Sequence, residues 1–254
     1  MKQIPNLFTL LNLFFGCCAI VYVLQNGITV FYTGDEPQMV DMPEKIVIAS
    51  LFIGIAAVVD FLDGFVARLF RAESEMGKQL DSLADVVSFG VAPGMILYQF
   101  LRLSFANQEN GLDVSWIWIL PAFILPCAAA WRLAKFNIDE GQQYSFKGVP
   151  TPAVGLVVAS LPLIYWYSDN AMVIDLLRNK LVLYAIIATL SFLMVSNLPI
   201  MSLKFRDFTL KNNLPKIILA IAAIVLAFLL QWAAIPVVFI LYIILSLMFK
   251  NKFA

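Results

Sequence analysis

Asp60-Phe61-Leu62-Asp63-Gly64-Phe65-Val66-Ala67-Arg68, followed after eight residues by Gly77-Lys78-Gln79-Leu80-Asp81-Ser82-Leu83-Ala84-Asp85, is the stretch from which fold and chemistry can both be read. Its four aspartates lie among or beside apolar runs long enough to cross a bilayer. An ionised carboxylate near hydrocarbon costs about 2.5–3.5 kcal/mol on insertion scales, so such residues are rare there and usually functional. Four of them close together repel one another unless cations neutralise them. The stretch therefore implies a metal site built into a membrane protein.

Composition agrees. The chain has 254 residues, 61% of them hydrophobic and 13% charged, against about 25% charged in a soluble domain. Mean hydropathy is +0.86. The formal net charge is zero, which indicates no nucleic-acid partner, and there is no histidine. That excludes imidazole acid–base chemistry, Ser-His-Asp triads and His-ligated zinc. Cys17, Cys18 and Cys127 sit in apolar runs without CxxC spacing and read as small buried hydrophobes. Phe15-Gly16-Cys17 has a faint likeness to a lipoprotein cleavage site. The apolar run continues past it behind only Lys2, so a retained first helix is expected.

About 20 apolar residues span a bilayer as a helix. Eight stretches qualify as candidates: Pro5–Gln25, Lys45–Leu69, Lys78–Phe105, Val114–Phe136, Thr151–Tyr167, Lys180–Leu198, Leu214–Leu230 and Trp232–Phe249. The fold expected is an all-α integral membrane protein of about eight transmembrane helices. Met201–Asn213 is a polar, basic break, dividing a six-helix block (1–200) from a two-helix tail (201–254) that reads as lipid-facing packing. With the N-terminus in the cytoplasm, 13 of the 17 Lys and Arg residues fall on that side, as the positive-inside rule requires. The C-terminus then returns to the cytoplasm and the aspartates sit at the cytoplasmic boundary. The acidic stretch Asp35–Glu44 becomes a solvated outer loop. Trp116, Trp118, Trp166 and Trp232 lie near span ends, as an interfacial belt should.

Residues three and four apart share a helix face. Asp60 and Asp63 share one, continued by Gly64 and Ala67; Asp81 and Asp85 share another, with Gly77 one turn earlier. Two helices meeting across the Phe70–Met76 turn would aim four carboxylates at one point. Hard divalent cations take such oxygen ligands together with phosphates. Gly64, Ala67 and Gly77 leave room for a ligand to approach the backbone, and the planar fork of Arg68 suits phosphate oxygens. The set points to chemistry on a pyrophosphate, with one carboxylate left to take a proton from an attacking hydroxyl. Asn6 and Thr9, at the start of the first helix, are placed either to contact nucleotide or phosphate or to cap the helix.

The string D-x2-D-G-x2-A-R-x8-G-x3-D-x3-D resembles, without departure, the signature of the CDP-alcohol phosphatidyltransferases. These membrane enzymes move a phosphatidyl group from a CDP-linked lipid to an alcohol and release CMP. The resemblance implies that Asp60, Asp63 and Asp81 bind divalent metal, Mg or Mn and two ions. It implies that Asp85 is the general base and also a metal contact. Gly64, Ala67, Arg68 and Gly77 would line the CDP site. Homodimers are common in that family.

The flanks Ile4–Asn12, Val86–Pro93, Trp131–Asn137 and Phe146–Ala153 look like the phosphatidylserine synthase branch, as does the count of six spans plus two. That implies CDP-diacylglycerol as donor, L-serine as acceptor, surrounding membrane lipids, and the cytoplasmic (inner) membrane of the cell. A serine carboxylate fits a cationic pocket, for which Arg132, Lys135 and Lys147 are candidates. The alternative for these cations is topology or anionic lipid. Ser88, near the face of Asp81 and Asp85, is a candidate acceptor contact or a packing residue. Two rival readings stay open: the same reaction with glycerol 3-phosphate, inositol phosphate or a choline-like acceptor, and a divalent cation transporter.

Overall fold

The computed structural model describes residues 4–33, 36–69, 74–106, 114–138, 146–201 and 210–249. Side chains are described for these except 4, 31–33, 36–39, 146–147 and 210–212. The chain runs α1 (Ile4–Gln25), a β-hairpin of β1 (Thr29–Thr33) and β2 (Glu36–Asp41), α2 (Val47–Leu69), and α3 (Glu75–Asp85). A π-helical segment, Val86–Val91, joins α3 to α4 (Ala92–Ala106). Then come α5 (Ile124–Ile138), β3 (Phe146–Lys147), α6 (Thr151–Tyr167), α7 (Ala171–Arg178) and α8 (Lys180–Val195). After β4 (Pro199–Ile200), α9 (Leu210–Leu230) and α10 (Ala234–Met248) form a helical hairpin.

Among the described residues, the stretches Pro5–Gln25, Glu44–Leu69, Glu75–Ala106 and Asn213–Met248 are long and apolar enough to cross a membrane. Thr151–Tyr167 and Lys180–Val195 are apolar but shorter. The Asn213–Met248 stretch is broken at Gln231, whose φ of 50° lies in the left-handed region. There α9 turns back through Gln231–Ala233 so that α10 packs against it. This is the all-α membrane architecture expected, with long apolar stretches at α1, α2, α3–α4 and the α9–α10 hairpin and shorter apolar helices at α6 and α8.

Four expectations need correction. The cysteines are not buried: Cys17 and Cys127 are exposed and Cys18 is half-buried, on the outward faces of apolar helices. The fourth span does not start as a helix at Val114. Residues Trp116–Trp118 and Leu120–Phe123 form 3-10 turns, with Pro121 in the first turn of the second, and the α-helix begins only at Ile124. A 3-10 turn rises about 2.0 Å per residue against 1.5 Å in an α-helix, which extends the reach of the 15-residue α5. The acidic stretch before α2 is no simple solvated loop. It contains β2, paired antiparallel with β1 so that Thr29 faces Asp41, and it ends in a paired carboxylate at Asp41. The tail is not lipid-facing throughout, because α10 buries Ala234, Phe239, Tyr242, Leu245 and Ser246, against α6 among others.

The core lies where α1, α4, α6 and the π segment meet. Phe89, Phe100, Ile96, Leu97 and Leu101 are fully buried there. Close approach depends on small residues, since packing between apolar helices in a bilayer rests on van der Waals fit. A Cβ on Gly16 would come within 2.3 Å of Ser88 Oγ, so α1 touches the π segment there backbone to side chain. The loop into α6 is held by Gly148, with φ +80°, whose N–H bonds to the Leu198 carbonyl at 2.9 Å. A Cβ there would meet the Met194 carbonyl at 2.4 Å. This pins the segment before Thr151 to the end of α8.

Candidate functional site

The start of α1, the end of α2 and the whole of α3 meet at one end of the bundle. α3 begins cleanly because Ser74 caps it, accepting from the Gly77 N–H at 3.0 Å. Gly77 brings that cap beside Asn6: a Cβ on Gly77 would lie 3.2 Å from Asn6 Oδ1. Along its length, α3 is also tied to α5. Asn137 Nδ2 donates to Ser82 Oγ at 2.8 Å, and Lys78 Nζ donates to the Asn137 carbonyl at 3.1 Å.

Held this way, α2 and α3 turn their acidic faces toward each other. Carboxylate oxygens of Asp60, Asp63 and Asp81 lie within 4.8 Å of one another. Asp60 also makes side-chain contact with Asp85. Asp63 and Asp85 are buried, 7% and 6% exposed. At such separations a pair of like charges costs roughly 3–4 kcal/mol at an effective dielectric of about 20. Two described side chains donate to the cluster. Thr9 Oγ1 gives its proton to Asp63 Oδ2 at 2.8 Å, and Asn12 Nδ2 donates to Asp85 Oδ1 at 3.2 Å. Hydrogen bonds to charged groups contribute about 1.5–3 kcal/mol each, less than the summed repulsion. Asp81 Oδ1 is buried and has no hydrogen-bond partner among the described residues. An all-oxygen, multiply anionic donor set with an orphaned buried oxygen fits a hard divalent cation such as Mg or Mn.

The other candidates are spread around this cluster. Among the described residues, no atom outside the helix's own backbone lies within 4 Å of a Cβ built on Gly64, so that flank of α2 is open. Ala67 is half-buried, and Arg68 is exposed in the last turn of α2. Arg132, 8% exposed, donates from Nη1 to Thr151 Oγ1 at 3.0 Å. Its Nε has no partner among the described residues. It sits on α5, which packs against α3 and the π segment. Lys135 lines the same recess between α5 and the end of α8, with Nζ donating to Asn197 Oδ1 at 2.8 Å. The side chain of Lys147, and all of Lys2 and Arg71, lie outside the described residues. Ser88 is fully buried and donates to the Asn12 carbonyl at 3.0 Å. Its hydroxyl is thus occupied in the joint between α1 and the π segment.

Asn12 is the participant that sequence reasoning missed. It is fully buried, with its side-chain Nδ2 donating to Asp85 and its backbone carbonyl accepting from the Ser88 hydroxyl. A signal was present: Asn6, Thr9 and Asn12 form a polar row at three-residue spacing on an otherwise apolar helix. Thr151 was missed too, and it faces Arg132 from the first turn of α6.

Comparison with known proteins bears on the same residues. The family model described as CDP-alcohol phosphatidyltransferase matches residues 2–193. A CDP-diacylglycerol–serine O-phosphatidyltransferase of Helicobacter pylori is 33% identical over 243 residues, covering 94% of this chain and 87% of that protein. The enzyme of the same name from Bacillus subtilis is 31% identical over 198 residues, covering 78% of this chain and 89% of its own. One from Saccharomyces cerevisiae is 36% identical over 162 residues, covering 60% and 51%.

Proposed function

This chain belongs to the CDP-alcohol phosphatidyltransferases, and from that premise we propose that it transfers the phosphatidyl group of CDP-diacylglycerol to the hydroxyl of L-serine. The products are phosphatidylserine and CMP, and the reaction belongs to phospholipid biosynthesis. The observation that carries the reading is the convergence of Asp60, Asp63 and Asp81 within 4.8 Å, with Asp85 on α3 and Arg132 on the adjoining α5 both buried. The first group suits a metal-bound pyrophosphate. The second offers a buried base and a buried cation, on neighbouring helices, for an amino-acid acceptor. The names of the relatives support serine as that acceptor.

Asp60, Asp63 and Asp81 would hold the divalent ions, Mg or Mn and two in number, with Asp85 alongside. When bound, such ions neutralise phosphate charge and stabilise the leaving group. The remaining work falls to the chain's own residues. Thr9 fixes the Asp63 carboxylate in one orientation. Asn12 fixes Asp85, and Ser88 fixes Asn12 by bonding its carbonyl. Asp85 takes the proton of the serine hydroxyl. The freed oxygen forms a bond to the β-phosphorus of the donor, and the bond from that phosphorus to the CMP oxygen breaks, its electron pair leaving with CMP. Asn6, Thr9, Gly64, Ala67 and Gly77 line the nucleotide side, where Arg68 grips phosphate. Arg132, Lys135 and Lys147 draw the serine carboxylate into the recess beside α5.

The donor enters laterally from the bilayer, past the open flank of α2 at Gly64. The catalytic core is the six-helix part, residues 1–200, and residues 201–254 are an extension. The protein sits in the inner membrane with both termini and the site on the cytoplasmic face, and a homodimer is its assembly. An acceptor panel tests the central reading. Purified protein with CDP-diacylglycerol and Mg or Mn should release CMP with L-serine, and not with glycerol 3-phosphate, inositol phosphate or choline. Release with glycerol 3-phosphate and none with serine would move the protein to another branch. Metal flux into liposomes, without CMP release from any acceptor, would replace the transferase with a transporter.

A further inference from the structure

Thr151 is fully buried in the first turn of α6, and its Oγ1 accepts from Arg132 Nη1 on α5 at 3.0 Å. The chain that leads to it has little freedom. Gly148, at φ +80°, gives its N–H to the Leu198 carbonyl at 2.9 Å, and Val149 gives its own to the Leu193 carbonyl at 3.1 Å. Pro150 then caps α6 at φ −59° and directly precedes Thr151. Two backbone bonds to the end of α8 and one proline ring thus set where the hydroxyl stands. The same end of α8 supplies Met194 and Ser196 to the recess that Arg132 and Lys135 line from α5. Lys135 is tied there as well, donating to Asn197 Oδ1 at 2.8 Å. The two cations, three residues apart on one helix face, are therefore each held by a neutral oxygen, and neither is ion-paired among the described residues.

The geometry of arginine gives this arrangement a use. A guanidinium takes a carboxylate side-on through Nε–H and the Nη2–H parallel to it. Nη1 lies outside that edge, so a hydroxyl on Nη1 fixes the guanidinium plane without occupying the side-on fork. Nε itself is buried and has no partner among the described residues. Buried donors are seldom left without an acceptor, and one on a residue that lines a recess calls for a ligand group. A neutral hydroxyl is also the right kind of support. An acid at position 151 would balance the charge of Arg132 and compete with the ligand, whereas a hydroxyl accepts one N–H and leaves the charge in place.

We propose that Thr151 is a positioning residue of the acceptor site: its hydroxyl holds Arg132 by Nη1 so that the Nε edge is presented to the carboxylate of an amino-acid acceptor. This deepens the proposed function and rests on its assignment of Arg132 to the acceptor. Recognition of the acceptor then depends on the loop into α6 and its anchorage to α8, not only on the cations of α5.

Steady-state kinetics of the purified full-length protein test the proposal, with CMP release as readout and serine and CDP-diacylglycerol varied in turn. Thr151→Val keeps the shape and removes the hydroxyl. It should raise the serine KM roughly tenfold, the low end of what one hydrogen bond from a charged group contributes, because the lost bond orients the ligand's partner without touching the ligand. Its kcat and CDP-diacylglycerol KM should stay within about twofold of wild type. Thr151→Ser keeps the hydroxyl and loses the methyl, and should hold the serine KM within about twofold of wild type. Adding Thr151→Val to Arg132→Gln should raise the serine KM no further than Arg132→Gln alone, because both act through one guanidinium. A packing role predicts the reverse order, with Thr151→Val near wild type and Thr151→Ser impaired, and that result would overturn the proposal. So would an unchanged serine KM in Thr151→Val while Arg132→Gln raises it, which leaves the assignment of Arg132 standing. An unchanged serine KM in Arg132→Gln would instead remove Arg132 from the acceptor site, and the positioning role of Thr151 with it. If Thr151→Val does not fold, Thr151→Ala, which also lacks the hydroxyl, is read against Thr151→Ser in the same way.

Discussion

At the hairpin end of the molecule Asp41 is surrounded by donors. The Tyr165 hydroxyl donates to its Oδ1, the Met42 N–H donates to the same oxygen at 2.7 Å, and Arg178 pairs with Oδ2 at 3.5 Å. Arg178 also donates from Nε and Nη2 to the Tyr165 oxygen, at 3.0 and 2.6 Å, and stacks over its ring. At the opposite end Asp60, Asp63, Asp81 and Asp85 are crowded together, with two donated hydrogen bonds from Thr9 and Asn12 among the described residues. One carboxylate has its charge balanced from within and ties a β-hairpin to α6 and α7. The others have no ion-pair partner among the described residues, which suits them to a bound cation. A satisfied carboxylate is architecture; a set of unsatisfied ones is a binding site that folding alone cannot complete.

The strongest way to break this contrast is to remove one member of the crowded set. Asp81→Asn should lower kcat/KM for CMP release by about three orders of magnitude, since a bridging metal supplies several kcal/mol of transition-state stabilisation. A second readout does not depend on turnover. Mn or Mg should raise the thermal stability of the wild-type protein, by about 2.7 kcal/mol at a hundredfold excess over Kd, and Asp81→Asn should lose most of that rise. Near-normal turnover, or an undiminished metal-dependent rise, would show that the cluster is not where the cation binds.

A smaller effect is expected at Asn12. Asn12→Leu keeps the volume and removes the donor to Asp85, so kcat should fall roughly ten- to a hundredfold, the range for one hydrogen bond to a charged group. The CDP-diacylglycerol KM should hardly move. A change confined to that KM would place Asn12 on the nucleotide side and leave Asp85 without an orienting partner. The smallest effect on turnover is expected at the balanced carboxylate. Asp41→Asn should leave kcat/KM within about twofold while lowering unfolding stability by about 1 kcal/mol, typical of polar contacts within membrane proteins. A collapse of turnover in Asp41→Asn with the thermal midpoint unchanged would erase the distinction between the two ends.

Much of this was legible in the chain because a bilayer simplifies the reading. Length and apolarity alone found α1, α2 and the α3–α4 rod, and the spacing of the aspartates predicted their shared faces. The features that escaped were set by shorter-range chemistry. α7 has only eight residues, too few to register against spans of about 20. The turns at Trp116–Phe123 are as apolar as a helix and differ from one only in their hydrogen bonding. β1 and β2 had a visible cue in the run Thr29-Val30-Phe31-Tyr32-Thr33, rich in β-branched and aromatic residues, masked by the acidic stretch that begins at Asp35. Asn12 could have been read: a third polar residue in register with Asn6 and Thr9 needs a reason to be inside an apolar helix.

The π segment Val86–Val91 gives the rod through α3 and α4 one further property. Ala92 N–H reaches back five residues to the Val87 carbonyl, and Pro93, which has no N–H, comes directly after it. Such wide turns are uncommon and gather at functional sites. Each residue of an α-helix turns the chain by about 100°, so a wide turn acts as an angular offset between the helix on its N-terminal side and the helix on its C-terminal side. Here Asp81 and Asp85 precede it, and the buried wall of Phe89, Ile96 and Phe100 lies within or beyond it. The length of this joint, more than the identity of its side chains, decides which way the carboxylates point relative to the scaffold. Shortening it by one residue would leave every helix intact and swing the acidic face out of register with α1 and α2.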